Sequence, residues 1–344
     1  MSRTIALGDK PLKVAVAGAG YISEYHLAGW KDLPQVEVVA VCDSAVEMAR
    51  GRAEQFGVPR VYADFSEMLE RERPDAVDIA TSVATHAPLT RIAADRGVHV
   101  MVQKPMTPTL AEGEALVRDV GGRVRVMVHE NFRFRPHYVA VRDWLAAGRI
   151  GEIRQARLAV RSSGFAPVEH GTPPILARQP YLRTFPRLLI FEALIHHLDV
   201  LRSLLGPLAV TSAVLSRINP ALTGEDVATI HLRGQAGTVA VLDGNFSAPG
   251  YPVVPVDRLE VVGSQASLLY DVTRLSLVGG ADPPLTFDPA GNYQVCFTAA
   301  IRHFVRGLRT GEPFATEAQD NLEVLRLVEA CYAAAGDSTE RSRA

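Results

Sequence analysis

The sequence lacks much of what would place it in several large classes of protein. Its 344 residues include three cysteines, Cys42, Cys296 and Cys331. The odd count, the wide spacing and the lack of any Cys-x-x-Cys or Cys/His cluster argue against a disulfide framework and a metal site. They point to free thiols in a reducing compartment. No apolar run approaches the roughly 18–20 residues that span a bilayer. The opening MSRTIALGDKPLK has no apolar stretch of the signal-peptide kind. The expectation is a cytoplasmic protein with no membrane partner. Charge of one sign is also missing: 36 Lys and Arg against 38 Asp and Glu leave a formal charge of −2. That balance gives no electrostatic footprint for nucleic acid. There is no internal repeat and no low-complexity segment.

What remains is an ordinary globular composition, 47% hydrophobic and 22% charged. The length suits two domains. The pattern changes near residue 130. We expect a nucleotide-binding domain over residues 1–130 and a substrate-binding and oligomerisation domain over 131–344, with the C-terminal helix free to pack back on the first.

LKVAVAGAGYIS (12–23) is an apolar strand followed by a glycine turn. EYHLAGWKDL then reads as a helix, and VEVVAVCD (36–43) as a second strand ending in Asp43. Strand, Gly-rich turn, helix, strand and acid is the arrangement of a dinucleotide-binding fingerprint. Gly18 would make the tight turn and Gly20 would let the backbone approach a pyrophosphate at the helix N-terminus. Ser23 stands where a third glycine is usual. Asp43 would accept from both ribose hydroxyls and repel a 2′-phosphate; Ser44, not Arg, follows it, which favours NAD over NADP. A plain α/β turn with a helix-capping Asp would read the same way locally.

The alternation of strand and helix continues to HVMVQ and VRVMVHE, which predicts a doubly wound parallel sheet, the Rossmann class of α/β fold. Ligands of such sheets sit at the carboxyl ends of strands. That rule gathers the Gly18–Ser23 turn, Asp43, Thr81–His86 and Gln103–Pro105 along one crevice. Lys104 is thereby a candidate for chemistry, where otherwise it would be a solvated loop charge.

After residue 131, short strands separated by Gly-containing turns predict an α+β domain with an open, mainly antiparallel sheet. The strands are expected at 152–163, 209–218, 226–234, 238–247, 257–271 and 274–280. Helices are expected over YQVCFTAAIRHFVRGLR and EAQDNLEVLRLVEACYAAAG, the second opened by a Thr316/Gln319 capping box. The tail GDSTERSRA is expected to fray. APGYPVVPVD (248–257) is a rigid loop beside the site or an oligomer contact.

PRLLIFEALIHHLDVLRSLLG (186–206) reads as one strongly apolar helix. Glu192 and His196, four apart, would share a face, with Asp199 nearby. A surface Glu–His pair would look the same. An apolar, buried helix gives its charged groups a reason to be there. His197 points elsewhere and is a structural or a substrate-contacting histidine. Asn131 and Arg133 lie at the domain junction as candidate substrate contacts; Arg133 faces substrate or holds the junction. Arg178 in RQPYLR meets a hydroxylated or anionic substrate or stays solvated.

Taken together these stretches resemble the Gfo/Idh/MocA family of NAD(P)-dependent oxidoreductases. GAGYISEYH is similar to the family's opening turn, with His26 in the first helix. ATSVATHAPLTRIAADRGVHVMVQKP is similar to the segment that ends in Glu-Lys-Pro. MVHENFRFRP, ALIHHLDVLRSLLG and HFVRGLRTGEPFAT follow in order. The departures are Ser82-Val83 for Pro-Asn, Gln103 for Glu, and Glu192 for Asp. The resemblance implies a nicotinamide cofactor held by Gly18, Gly20, Tyr21, Ile22 and Asp43, and further along by Thr81, His86, Gln103 and Lys104. It implies a small carbohydrate substrate and hydride transfer, with no metal. His196 would be the base, Lys104 would donate a hydrogen bond to the reacting oxygen, and Glu192 would orient substrate hydroxyls or the imidazole.

Gln-Lys-Pro with HENFRFRP and Glu-x-x-x-His resembles the branch that includes D-apiose dehydrogenases, which oxidise a small sugar at its anomeric carbon to a lactone. An inositol or other ring-hydroxyl dehydrogenase, a redox-neutral isomerase or glycoside-cleaving enzyme, and a non-catalytic NAD sensor are the other readings. A glutamate in place of Gln103 would hold Lys104 charged beside the nicotinamide; Gln103 would keep a hydrogen bond to the ribose without that charge. An exposed sheet face makes a homodimer or homotetramer the expected assembly.

Overall fold

The computed structural model describes residues 10–235, 237–289 and 291–341. Most of the opening stretch read for a signal peptide, and the last three residues of the tail, lie outside them. The chain divides into two units, Met1–Phe134 with Tyr293–Leu325, and Arg135–Asn292 with Arg326–Ala344.

The first unit begins with an alternation of strands and helices. β1 (Leu12–Ala17), α1 (Ser23–Lys31), β2 (Val36–Cys42), α2 (Val46–Phe56) and β3 (Val61–Tyr62) form one half. The other half is α3 (Phe65–Glu72), β4 (Ala76–Ile79), α4 (Val83–Asp95), β5 (His99–Gln103), α5 (Leu110–Val120) and β6 (Val126–His129). All the strands pair in parallel, in the order β3-β2-β1-β4-β5-β6. This is the doubly wound Rossmann sheet. β4, β5 and β6 are buried at every residue. Helices on both faces remove the alternation that a half-exposed strand would show, and the strands read as apolar runs. Local caps set the helix starts: Asp64 accepts from the Glu67 N–H at 2.7 Å to open α3, and Thr109 accepts from the Glu112 N–H at 3.2 Å to open α5.

The second unit holds α6 (Pro136–Ala146), β7 (Ile153–Arg161), α7 (Pro174–Arg178) and α8 (Ile195–Leu205). β8 (Leu208–Ser216), β9 (Val227–Gly234), β10 (Val239–Asn245), β11 (Val256–Gly263), β12 (Ser267–Asp271), β13 (Arg274–Leu277) and β14 (Leu285–Thr286) follow. Eight strands pair in the order β14-β13-β12-β11-β7-β10-β9-β8. The pairs are antiparallel except β7 with β10. The sheet is therefore mixed and mostly antiparallel.

α9 (Asn292–Thr310) and α10 (Ala318–Arg341) complete the chain. Ile301, Phe304 and Leu308 of α9 pack with Leu12, Val14 and Val16 of β1 and with Leu27 and Trp30 of α1 in the first unit's core.

Four local expectations change. Residues 257–271 are two strands, β11 and β12, paired as a hairpin around Ser264 and Gln265. α6, opened by Pro136 at its first turn, has no counterpart in the sequence reading. Thr316 does not cap α10: its hydroxyl donates to the Val128 carbonyl, and its own carbonyl accepts from Val128 N–H at 2.8 Å, so both groups extend the edge of β6. The tail expected to fray is helical through Arg341.

Candidate active site

The glycine turn follows directly from its surroundings. Gly18 sits at φ +102°, and a Cβ there would lie 2.4 Å from the Ala80 carbonyl oxygen at the end of β4. No other residue fits. Gly20 is the opposite case, since a Cβ would meet nothing within 4 Å. It leaves open space at the start of α1, the cradle a pyrophosphate needs. Ser23, at the third glycine position, is fully buried and donates to the Gly20 carbonyl at 2.6 Å, so it closes the turn from inside. Arg52 of α2 supports the same turn, 3.3 Å from that carbonyl and 3.0 Å from Glu24.

Asp43 follows β2. Its Oδ2 accepts from Ala19 N–H at 2.8 Å and its Oδ1 from Ala45 N–H at 2.9 Å. A carboxylate has about four lone-pair sites, so each oxygen keeps capacity for a ribose hydroxyl. Tyr21 is exposed beside the turn, its hydroxyl 3.0 Å from that of Tyr25. Ile22 precedes α1 with no side-chain cap, which leaves that helix end to a ligand. The residues present fit a dinucleotide.

Further along the sheet edge, the Thr81 hydroxyl accepts from that of Thr85 at 2.7 Å. His86 is buried, with Nδ1 2.8 Å from the Pro105 carbonyl and Nε2 3.1 Å from the Thr81 carbonyl. It holds the segment after Lys104 in place. The Lys104–Pro105 peptide is cis. Gln103 is turned inward: its Oε1 accepts from the Lys104 N–H at 2.7 Å and its Nε2 lies 2.9 Å from Nε2 of His26. The carboxamide is engaged inside the unit rather than held out to a ribose. Asn131 donates to the Cys296 thiol at 3.2 Å, and Arg133 to the Ala315 carbonyl at 2.5 Å, with Asp320 at 3.6 Å. Both side chains tie parts of the first unit together.

In the second unit, residues 186–206 are not one α-helix. Leu189–Leu194 form a π-helical turn that leads into α8. A π-turn is wider than an α-turn, so the four-residue interval from Glu192 to His196 does not return to one face as in a straight α-helix. Glu225, elsewhere in the unit, caps the start of the turn: it is buried and accepts from the N–H groups of Leu188 at 3.2 Å and Ile190 at 3.1 Å. Glu192 is half-buried within this turn. Desolvation of the Tyr181 phenol and then the charge of Glu192 push that phenol up, which puts Glu192 in reach of the RQPYLR loop. His196 is 8% exposed in the first turn of α8. His197 is buried, 3.1 Å from Asp257, and belongs to a structural cluster. Arg178 is exposed at the end of α7.

Several contributors had no part in the sequence reading. Asp78 in β4 lies 2.7 Å from both His26 and Trp30; an acid inside the buried run AVDI was the available signal. Glu225 and Asp257 gave no comparable signal. Among the described residues, no group of three or more His, Cys, Asp or Glu is placed to hold a metal, and no helix is long and apolar enough to cross a membrane.

Comparison with known proteins decides the family. Residues 12–130 match the profile of an oxidoreductase family with an NAD-binding Rossmann fold, and residues 138–269 that of the GFO/IDH/MocA C-terminal domain. The chain belongs to the Gfo/Idh/MocA oxidoreductases. Among its family relatives is a D-apiose dehydrogenase of Paraburkholderia graminis, 36% identical over 95% of this chain and 88% of that protein. Another, from Rhizobium rhizogenes, is 33% identical over 95% and 96%. A crystal structure of an oxidoreductase from Agrobacterium radiobacter in complex with NAD+, L-tartaric acid and magnesium superposes with a TM-score of 0.88 at 31% identity, covering 96% of this chain and 97% of that one. As a Gfo/Idh/MocA member the chain is an oxidoreductase with a nicotinamide-dinucleotide fold, related throughout to dehydrogenases of sugars and polyols.

Proposed function

We propose that the chain is an NAD-dependent dehydrogenase of a small aldose, D-apiose or a close analogue, oxidised at the anomeric carbon to a lactone. The observation that carries this reading is the likeness to two D-apiose dehydrogenases over 95% of the chain. Asp43 supports NAD over NADP: its carboxylate, hydrogen-bonded to the Ala19 N–H of the glycine turn, would accept from the hydroxyls of an adenosine ribose and repel a 2′-phosphate.

The nicotinamide, when bound, accepts the hydride that leaves the substrate carbon. The protein's part is to take the hydroxyl proton and stabilise the oxygen. His196 serves as the base, since a neutral imidazole is suited to that transfer near neutral pH. Lys104 donates a hydrogen bond to the same oxygen, and its main chain is locked on one side by Gln103 and just after it by His86. Glu192 orients the substrate hydroxyls from the π-turn. The protein acts in the cytoplasm as a homodimer or homotetramer.

The test is a panel of aldoses, polyols and inositols with NAD and with NADP, followed at the NADH absorbance. D-apiose with NAD should give the highest kcat/KM. His196→Asn and Lys104→Ala should each lower kcat by about 10²–10⁴-fold. An inositol as preferred substrate would replace the aldose reading. Sugar turnover without net NADH would overturn the dehydrogenase.

A further inference from the structure

The first unit contains a buried polar chain that ends on Lys104, and its hydrogen bonds can run in one direction only. It starts from a certainty: the Lys104 backbone N–H can only donate. The Gln103 atom 2.7 Å away is therefore the amide oxygen, and the opposite end of the amide is the NH2 group. That NH2 also can only donate, and it faces Nε2 of His26 at 2.9 Å. Nε2 must then present its lone pair. An imidazole whose Nε2 accepts carries its proton on Nδ1, which donates to Asp78 Oδ2 at 2.7 Å. Trp30, a donor only, reaches the same oxygen at 2.7 Å. No member can be reversed without breaking a contact.

The chain is shielded from water. Asp78 and His26 are 0% exposed and Gln103 is 7% exposed. The groups around the His26 ring come from several elements. Asp78 comes from β4 and Gln103 from β5. The His129 ring from β6 lies 4.4 Å away, and Phe297 of α9 packs edge-on at 5.2 Å. Trp30 is on His26's own helix. Oδ1 of Asp78 is buried without a hydrogen-bond partner, so the His26 and Trp30 donors both load Oδ2; in low dielectric, breaking a link of such a chain is costly.

We propose that Asp78 and His26 are positioning residues that act through Gln103 to hold the Lys104 main chain, and that Gln103 is matched to a neutral, Nδ1-protonated His26. The substitution Gln103→Glu would put a carboxylate against the lone pair of Nε2. The contact would be restored only when His26 takes up a second proton and stands as an imidazolium between Asp78 and the introduced carboxylate. The proposal rests on the assignment of Lys104 to catalysis only in its effect on turnover.

Ring-nitrogen NMR of the full-length protein, with His26→Gln to assign the signal, tests the core of it without any substrate. At pH 7 the wild type should show His26 as the Nδ1–H tautomer, and Gln103→Glu should show both nitrogens protonated. A wild-type imidazolium or Nε2–H tautomer would overturn the proposal. In turnover, Gln103→Glu should show a kcat–pH profile that differs from the wild type's, and His26→Ala should lower kcat about tenfold with the KM for NAD little changed. Unchanged kcat profiles in both variants would show that the chain does not reach Lys104. If no sugar is oxidised at all, the proposed function falls while the NMR result still decides the tautomer.

Discussion

His197 Nε2 lies 3.1 Å from Asp257 Oδ1, a contact that ties α8, the helix of His196, to β11. The other oxygen of Asp257 accepts from Arg135 at 3.0 Å and from the Tyr138 hydroxyl at 2.8 Å. Burial alone would raise this carboxyl. The charge and hydrogen bond of His197, and then the charge of Arg135, outweigh it and hold Asp257 below the ordinary carboxylate range. Asp257→Ala would leave Arg135 and Tyr138 buried without their acceptor, and should cost about 3–5 kcal/mol of stability. Urea unfolding at pH 7 measures it; a loss under about 1 kcal/mol would mean that the cluster does not anchor the helix.

His137 belongs to the same cluster and makes the opposite kind of prediction. Burial pushes its imidazole down to about 3, against the pull of Asp257. The ordinary value is about 6.5. The folded protein therefore resists a proton that the unfolded chain accepts. Stability from this source is complete above pH 6.5 and falls as the pH drops towards 3, by about 1.4 kcal/mol per unit. Asp257 begins to contribute to acid loss only below about pH 4, so between 6.5 and 4 the loss comes from buried imidazoles: His137, and His303, which burial and then the charge of Arg306 also lower. Neither ring nitrogen has a hydrogen-bond partner, and the ring stacks on Tyr270 at 4.3 Å and 3°. His137→Phe keeps the stack and removes the titration. Its urea midpoint should change less between pH 6.5 and 4.5 than that of the wild type; equal slopes would assign the acid loss elsewhere.

The two glycines of the turn should separate folding from cofactor binding. Gly18→Ala forces a Cβ to 2.4 Å from the Ala80 carbonyl at a left-handed φ, and should cost about 1–3 kcal/mol of stability in addition to NAD affinity. Gly20→Ala meets no protein atom within 4 Å. It should unfold like the wild type yet bind NAD at least tenfold more weakly, because the methyl occupies the cradle. Calorimetric titration with NAD beside thermal unfolding distinguishes them. Normal NAD affinity in Gly20→Ala would place the pyrophosphate elsewhere.

The first unit was largely legible because its signals are local. A fully buried parallel strand is an apolar run, the turn needs glycine at 18 whatever lies beyond, and Asp43 falls at a strand end. What was not legible depends on partners distant in sequence. Gln103 beside Lys104 suggests a cofactor contact until His26, in another helix, is seen to take its amide. The hairpin in 257–271 was hidden because Gly-Ser-Gln-Ala punctuates a run that is apolar on both sides. Glu-x-x-x-His suggested a shared helix face because the spacing assumes an α-helix, and nothing within 186–206 announces a π-turn.

That π-turn carries the last prediction. Glu225 accepts from the N–H of Leu188, just before the turn, at 3.2 Å, from that of Ile190 within it at 3.1 Å, and from the Tyr332 hydroxyl at 2.6 Å. Burial and then the Glu225 charge push that phenol well above its ordinary value, so it remains a donor throughout the working range of pH. A buried carboxylate with three donors is worth more than a neutral cap, since hydrogen bonds to a charged group contribute about 1.5–3 kcal/mol each. Without the carboxylate, the N–H groups of Leu188 and Ile190 lose their acceptor, while Leu189 keeps the main-chain carbonyl of residue 225; the turn can then relax towards a regular α-helix, which rotates Glu192 relative to His196. Glu225→Ala should therefore cost about 3 kcal/mol in urea unfolding and lower kcat at least tenfold. NAD affinity should stay unchanged, because the turn that would hold the dinucleotide is in the first unit. Glu225→Gln, which keeps one acceptor, should recover part of kcat. If Glu225→Ala loses stability with kcat intact, the π-turn supports the fold alone, and the position of Glu192 does not depend on it.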